Sequence, residues 1–279
     1  MDMRSTLAAI EAMAAINIKP EEGDYVVDDI LYCGKCRTPK QAKIEFMGEI
    51  RRPFCLCKCA VEKREAEERE QKRRDFLDRV KSLRASGFPD AEMQRWTFAN
   101  DDRSNARISD IAQKYVEHFD EMRRRGKGLL LFGDVGTGKT FAAACIANAL
   151  IDKGVPCLVT SFARLVNTLQ GMYDGRQDYI DGLNRFPLLV IDDLASERDT
   201  EYMNEIVYNV IDSRYRSGLP LIVTTNLTGD ELKHAAEITK KRIYSRLFEM
   251  CVPIEVKGVD RRKMKLKQDY SDLEEILGL

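Results

Sequence analysis

The stretch Gly128-Leu129-Leu130-Leu131-Phe132-Gly133-Asp134-Val135-Gly136-Thr137-Gly138-Lys139-Thr140 decides the fold. A short apolar run that reads as a buried strand leads into a glycine-rich loop, and a helix-compatible stretch follows from Lys139 to Lys153. Gly133 to Thr140 fits the P-loop pattern G-x-x-x-x-G-K-[ST]. The glycines let the backbone curl so that successive N–H groups converge on a β-phosphate, and the helix N-terminus adds its positive dipole end. Gly133, Asp134, Val135, Gly136, Thr137 and Gly138 are therefore expected to cradle the nucleotide phosphates. Lys139 is expected to reach the β- and γ-phosphates, and Thr140 to offer its hydroxyl to Mg²⁺.

Outward from this stretch, four more apolar runs follow: Val155–Ser161, Pro187–Ile191, Pro220–Thr225 and Val252–Val256. Helix-compatible stretches such as Glu201–Ser217 lie between them. Continuous apolar strands separated by helices predict an α/β fold, with a five-stranded parallel sheet covered on both faces. The run Leu188-Leu189-Val190-Ile191 ends in Asp192-Asp193, where open α/β sheets bind ligands. Asp192 is the expected Mg²⁺ partner and Asp193 the group to polarise an attacking water. Aspartate is a short base for that task, so ATP hydrolysis is expected to be slow. Asn226, at the tip of the next strand, is placed either to orient that water or simply to make a turn.

The rest of the chain bounds the possibilities. It has 279 residues, 45 Lys+Arg against 46 Asp+Glu, and 44 % hydrophobic residues, which suits one medium domain plus a small module. No apolar run approaches the ~20 residues a bilayer requires. Met1–Lys19 lacks the order of a signal peptide and reads as a short amphipathic helix through Leu7, Ile10, Ala14 and Ile18, in a cytoplasmic protein. Residues 60–84 hold 16 charged positions in 25, without Pro or Gly. Acid-before-base pairs at Glu65–Arg69, Glu68–Lys72, Glu70–Arg74 and Asp75–Arg79 predict an exposed helical linker over residues 60–85. Ser86-Gly87-Phe88-Pro89 ends it, and residues 86–279 form the nucleotide domain.

Five of the eight cysteines fall between Cys33 and Cys59. Cys33-Gly34-Lys35-Cys36 is a C-x₂-C knuckle, and Cys55-Leu56-Cys57-Lys58-Cys59 supplies three more thiols. Two short-spaced pairs are how small modules give Zn²⁺ its four soft ligands. Residues 33–59 carry few apolar residues, so metal is expected to stabilise their fold. Lys35, Arg37, Lys40, Lys43, Arg51, Arg52 and Lys58, set against Glu45 and Glu49, give a net +5, or +3 with a Zn(Cys)₄ centre. His118 and His234 are the only histidines and lie far from the cluster in sequence; Cys145, Cys157 and Cys251 read as small core residues.

Together, GLLLFGDVGTGKT, LLVIDDLASE, LIVTTN and RIYSRL, in this order and spacing, resemble the AAA+ ATPases of the helicase-loader group. That group includes the DnaC- and DnaI-type loaders, their phage counterparts and the IstB-like transposition ATPases. The resemblance covers roughly Ser86 to Lys267. It implies that Asn226 is a sensor of the γ-phosphate, and that Arg246, or Arg242 one turn earlier, completes a neighbouring subunit's site. It further implies a second sensor arginine at Arg262, with Arg261 as the alternative, and a short lid over Asp260–Leu279. The group's pattern places a C-x-C pair directly before a charged helix, so the resemblance implies Cys33, Cys36, Cys57 and Cys59 as the zinc ligands, with Cys55 the alternative.

By the same resemblance, residues 1–59 form a helicase-binding region and the cofactors are ATP, Mg²⁺ and Zn²⁺. The partners are a hexameric replicative DNA helicase, single-stranded DNA and further copies of the chain. DNA binding by the cysteine module stays open beside helicase binding. Arg123, Arg124, Arg125 and Lys127 are candidates for contacting a single strand. The alternatives are an IstB-like regulator of DNA transposition and a DNA-binding AAA+ initiator.

Overall fold

The computed structural model describes residues 20–46, 48–195, 200–261, 263, 270 and 277. The expected helix at Met1–Lys19, Arg262 and most of the expected lid lie outside the described residues. The chain divides into two compact units, Met1–Leu77 and Asp78–Leu279.

In the first unit, β1 (Tyr25–Val27) and β2 (Ile30–Tyr32) form an antiparallel hairpin, as do β3 (Ile44–Phe46) and β4 (Glu49–Arg51). Asp28 and Asp29 join β1 to β2 with positive φ at both positions, the requirement of the tight turn that suits strand twist. Asp24, just before β1, accepts from the Gly34 N–H at 3.1 Å and from Lys40 Nζ at 2.6 Å. The module therefore starts well before Cys33. Lys40 also corrects the charge expectation. It is buried against Asp24, whose carboxyl this hydrogen bond holds down at about 2, and Arg52 pairs with Asp29 at 3.0 Å. Two of the seven expected surface cations are thus neutralised by acids from the preceding segment.

The charged stretch is a single helix, α1 (Lys58–Gly87), with only Val80 and Gly87 buried. Glu65–Arg69 and Glu70–Arg74 pair as expected, whereas Glu68 takes Arg64 and Asp75 accepts from Gln71. The helix runs past residue 85, and the boundary between the two units falls inside it.

The second unit is a parallel sheet ordered β6-β7-β8-β5-β9. Its strands are β5 (Gly128–Phe132), β6 (Cys157–Ser161), β7 (Leu188–Leu194), β8 (Leu221–Thr225) and β9 (Cys251–Glu255). Alternation along the strands builds two cores. Leu129, Leu131, Leu188, Val190 and Ile222 face α2 (Ala106–Glu117) and α4 (Lys139–Asp152). Leu130, Leu189, Ile191, Leu221 and Val223 face α5 (Phe162–Gln170), α7 (Glu201–Ser217) and α9 (Ile238–Met250). The short helices α3 (Phe119–Arg124), α6 (Arg176–Gly182) and α8 (Gly229–Lys233) complete this unit.

Two residues fix the sheet's register more than their neighbours do. At Gly128 any Cβ would meet the Leu221 carbonyl oxygen at 1.7 Å, so β5 and β8 pair closely there only with glycine. Arg214, 1 % exposed, donates to the carbonyls of Phe186, Pro187 and Pro220, just ahead of β7 and β8. Burial lowers its pKa to about 10, and the guanidinium stays charged at neutral pH. Cys145, Cys157 and Cys251 are buried, and among the described residues no helix is long and apolar enough to cross a membrane.

Candidate functional site

The P-loop leaves the C-terminal end of β5 and enters α4 through Gly138, which takes φ +95° at the helix N-cap. Thr137 is buried and donates to the Asp134 carbonyl at 2.9 Å, closing the loop on itself. Lys139 is also buried, its ammonium donating to the carbonyls of Gly133 and Asp134 at 2.8 and 2.6 Å. These bonds hold the lysine ammonium against the backbone of the first two loop residues.

β7 is longer than its apolar run suggests and ends at Leu194, so both acids belong to the strand. Asp192 Oδ1 accepts from Thr140 Oγ1 at 2.8 Å and from Thr224 Oγ1 at 2.5 Å. Burial raises the pKa of Asp192, while these two hydroxyls act the other way. Thr140 and Asp192, the expected Mg²⁺ pair, are therefore in direct contact. Asp193 has φ +63°, and its carboxylate accepts from the Asn226 side-chain amide at 3.2 Å. The loop, the two acids and Asn226 share the C-terminal ends of β5, β7 and the intervening β8.

Beside the loop, the Arg261 N–H donates to the Gly136 carbonyl, and its guanidinium lies over the Phe141 ring at 5.4 Å and pairs with Asp102 at 2.5 Å. Arg261, the alternative sensor position, lies against the P-loop, and Arg262 is outside the described residues. Arg246 is engaged within its own chain. It pairs with Asp212 at 2.6 Å and lies over the Tyr208 ring at 4.4 Å, whereas Arg242 is exposed.

In the first unit, the Sγ atoms of Cys33, Cys36, Cys57 and Cys59 all lie within 4.8 Å of one another. Tetrahedral Zn²⁺ with Zn–S bonds of about 2.3 Å needs sulfurs about 3.8 Å apart. The Cys33–Cys59 and Cys57–Cys59 separations are 3.6 and 3.4 Å. Cys55 is turned away, with the Pro39 carbonyl 3.6 Å from its sulfur. The N–H groups of Cys36 and Lys35 lower the pKa of Cys33; the Thr38 hydroxyl, then the Cys59 amide, bring Cys36 to about 5. The crowding Cys57, Cys36 and Cys33 sulfurs push the Cys59 thiol up to about 12. Four converging sulfurs with N–H and O–H donors behind them fit a tetrahedral thiolate-bound metal.

Residues 61–269 match the family of IstB-like ATP binding proteins. The chain belongs to that family. Its five-stranded α/β unit is of the AAA+ type. Among curated proteins, this IstB-like chain is similar to the replicative helicase loader DnaI of Bacillus subtilis (strain 168), 28 % identical over 167 residues, which make up 56 % of this chain and 52 % of that protein. It is also similar to the replicative helicase loader DnaC of Escherichia coli (strain K12), 26 % identical over 140 residues, 49 % of this chain and 55 % of that one. The chain spans about half the length of these two curated relatives. A crystal structure of DnaI matches 64 % of this chain and 98 % of its own, with 27 % identity and a TM-score of 0.52. The family match begins beyond the four clustered cysteines, so that cluster is a feature of this IstB-like chain outside the matched region.

Sequence reasoning missed several members of these sites. Thr224 gives no signal beyond strand propensity, because threonine is common in strands for its shape alone. Asp24 and Thr38 lack a motif altogether. The positive φ of Asp193 belongs to an irregularity of pairing that a single strand's sequence does not encode.

Proposed function

We propose that this IstB-like protein is an ATP-dependent loader that binds a hexameric replicative helicase and places it on single-stranded DNA. The observation that carries the reading is the convergence of Lys139, Thr140, Asp192 and Asn226 on one end of the sheet, in a chain similar to two replicative helicase loaders. The four-sulfur cluster supports it as the partner-binding module, with zinc held by Cys33, Cys36, Cys57 and Cys59.

In this reading Lys139 moves from its two carbonyls to the β- and γ-phosphates of ATP, and Thr140 and Asp192 hold Mg²⁺. An ion held by Thr140 and Asp192 would supply charge neutralisation at the phosphate oxygens. Asp193 accepts the proton of the attacking water, and Asn226, already bonded to Asp193, orients that water. The short reach of Asp193 makes the single chain a slow ATPase that a partner stimulates. Arg246 stabilises charge on the transferred phosphoryl group of a neighbouring copy after leaving Asp212, and Arg261 serves as the second sensor. A single strand is expected to pass by the open hollow of about 810 Å³ lined by Arg124, Arg125, Lys127, Tyr215 and Arg216.

The test is complex formation with the hexameric helicase of the host, read as light-scattering mass with and without ATP and Mg²⁺. A stable mixed complex that Lys139→Ala or Arg246→Ala alters in its nucleotide dependence is the expected result. If no complex forms in any nucleotide state, while duplex DNA induces filaments of the chain, the loader reading is wrong and the IstB-like transposition reading replaces it.

A further inference from the structure

The β7–β8 ladder runs in register from Leu189 opposite Leu221 to Ile191 opposite Val223, then shifts and resumes with Leu194 opposite Thr225. Asp192 and Asp193 therefore stand against the single residue Thr224, a bulge that puts two acids where a regular strand would put one. A bulge bends its strand and interrupts the ladder, so side chains must hold it in one geometry. Two buried hydroxyls of β8 supply that hold. Thr224, 2 % exposed, donates its one hydroxyl hydrogen to Asp192 Oδ1 at 2.5 Å, and its own Oγ1 accepts the Asp193 N–H at 2.9 Å. Thr225, fully buried, donates to the Leu194 carbonyl at 2.8 Å.

We propose that Thr224 and Thr225 form a hydroxyl clamp on this bulge, and that Thr224 is the positioning residue for both acids. Its hydrogen fixes the carboxylate of Asp192 beside Thr140. Its lone pair fixes the backbone of Asp193 in the left-handed conformation that brings the Asp193 carboxylate to Asn226. One side chain thus couples the metal-holding acid to the water-activating acid. The inference rests on the reading that this end of the sheet binds Mg²⁺ and ATP. It goes beyond that reading by assigning a role to residues whose type alone says only that they suit a strand.

Valine has the shape of threonine and an equal preference for strands, so it separates a hydroxyl role from a packing role. The experiment measures binding of a fluorescent ATP analogue to the full chain as Mg²⁺ is titrated, and again in EDTA, with thermal midpoint and hydrolysis recorded alongside. Thr224→Val should leave the EDTA affinity within about twofold and raise the Mg²⁺ midpoint by about tenfold or more, the size expected when a group behind a metal ligand is lost. Hydrolysis should fall with it, and Thr224→Ser should restore both to near the parent values. Thr225→Val, whose lost bond goes to a backbone carbonyl, should lower hydrolysis and leave the Mg²⁺ midpoint near that of the parent.

If Thr224→Val does not fold, Thr224→Ala is compared with Thr224→Ser on the same axes. A Thr224→Val protein with the parent's Mg²⁺ midpoint overturns the clamp, as does a Thr224→Ser protein that resembles the valine variant. A parent protein whose nucleotide binding ignores Mg²⁺ overturns the nucleotide-site reading itself, and the clamp with it.

Discussion

The cysteine module and the nucleotide unit both present polar groups from short loops, and they hold those loops in opposite ways. From residue 20 to residue 77, Leu31, Cys33, Lys40 and Cys57 are the buried positions among the described residues. Two of them are thiols and one is a lysine. Val26, Val27, Ile44 and Ile50 are all exposed. The nucleotide unit instead sandwiches its sheet between two apolar clusters, and its P-loop hangs from strands whose side chains are almost wholly inaccessible. Where apolar burial is this scarce, a buried ion pair such as Lys40–Asp24, and a metal on the four clustered sulfurs if one binds, would have to replace it. A chain can thus carry one unit that depends on its chemical surroundings and one that depends on packing.

Metal removal is the strongest way to break this contrast, since structural zinc sites supply on the order of 10 kcal/mol. A chelator should abolish amide exchange protection at Lys40, Ala42 and Cys55, whose N–H groups bond across the module, and leave β5 to β9 protected. Protection that survives chelation would place the module in the packing class with its neighbour.

The thiols sharpen the same division. Burial pushes Cys145 and Cys157 up to about 12 and Cys251 higher still. At pH 8 their thiolate fraction is about a thousandfold below that of an ordinary thiol, since reactivity follows the thiolate. Brief alkylation of the metal-loaded protein should add one label, at Cys55, and intact mass after denaturation in chelator should show eight. Labelling of Cys145 in the native protein would contradict the packed core.

Arg214→Met probes a place where the nucleotide unit relies on buried polar contacts. Three carbonyls lose their donor, at a cost of about 3–5 kcal/mol. The thermal midpoint should drop by about 6–20 °C, read by calorimetry, with the module's exchange protection unchanged. Glu70→Gln, on the exposed part of α1, lies at the other extreme. It removes surface pairs to Arg73 and Arg74 worth a few tenths of a kcal/mol and should shift neither unit measurably.

The legible parts of the sequence were those where chemistry forces a spacing. The P-loop, the four apolar residues before Asp192, and the C-x₂-C and C-x-C pairs all lie where expected, and Cys55 is the sulfur turned away. What was not legible depends on partners far apart in the chain. Asp24 and Lys40 meet only because the hairpin folds back between them. The clamp of Thr224 on Asp192 and Asp193 exists only because two strands pair with a slip, and Arg214 looks from its neighbours like any cation near a helix end. Arg261 meets the loop through its N–H bond to the Gly136 carbonyl, a contact between distant residues that the spacing of the basic run does not signal.

The exposed part of α1 has a practical consequence. Between Lys58 and Leu77 the helix buries no side chain, and it displays Lys58, Lys63, Arg64, Arg69, Lys72, Arg73 and Arg74 to solvent. Beyond Cys59, which the sulfur cluster holds, the described contacts of this stretch are its own backbone bonds and weak charge pairs, so little resists local opening there. A brief tryptic digest should therefore cut within this segment, giving early fragments that end at Lys63, Arg64, Arg69, Lys72, Arg73 or Arg74.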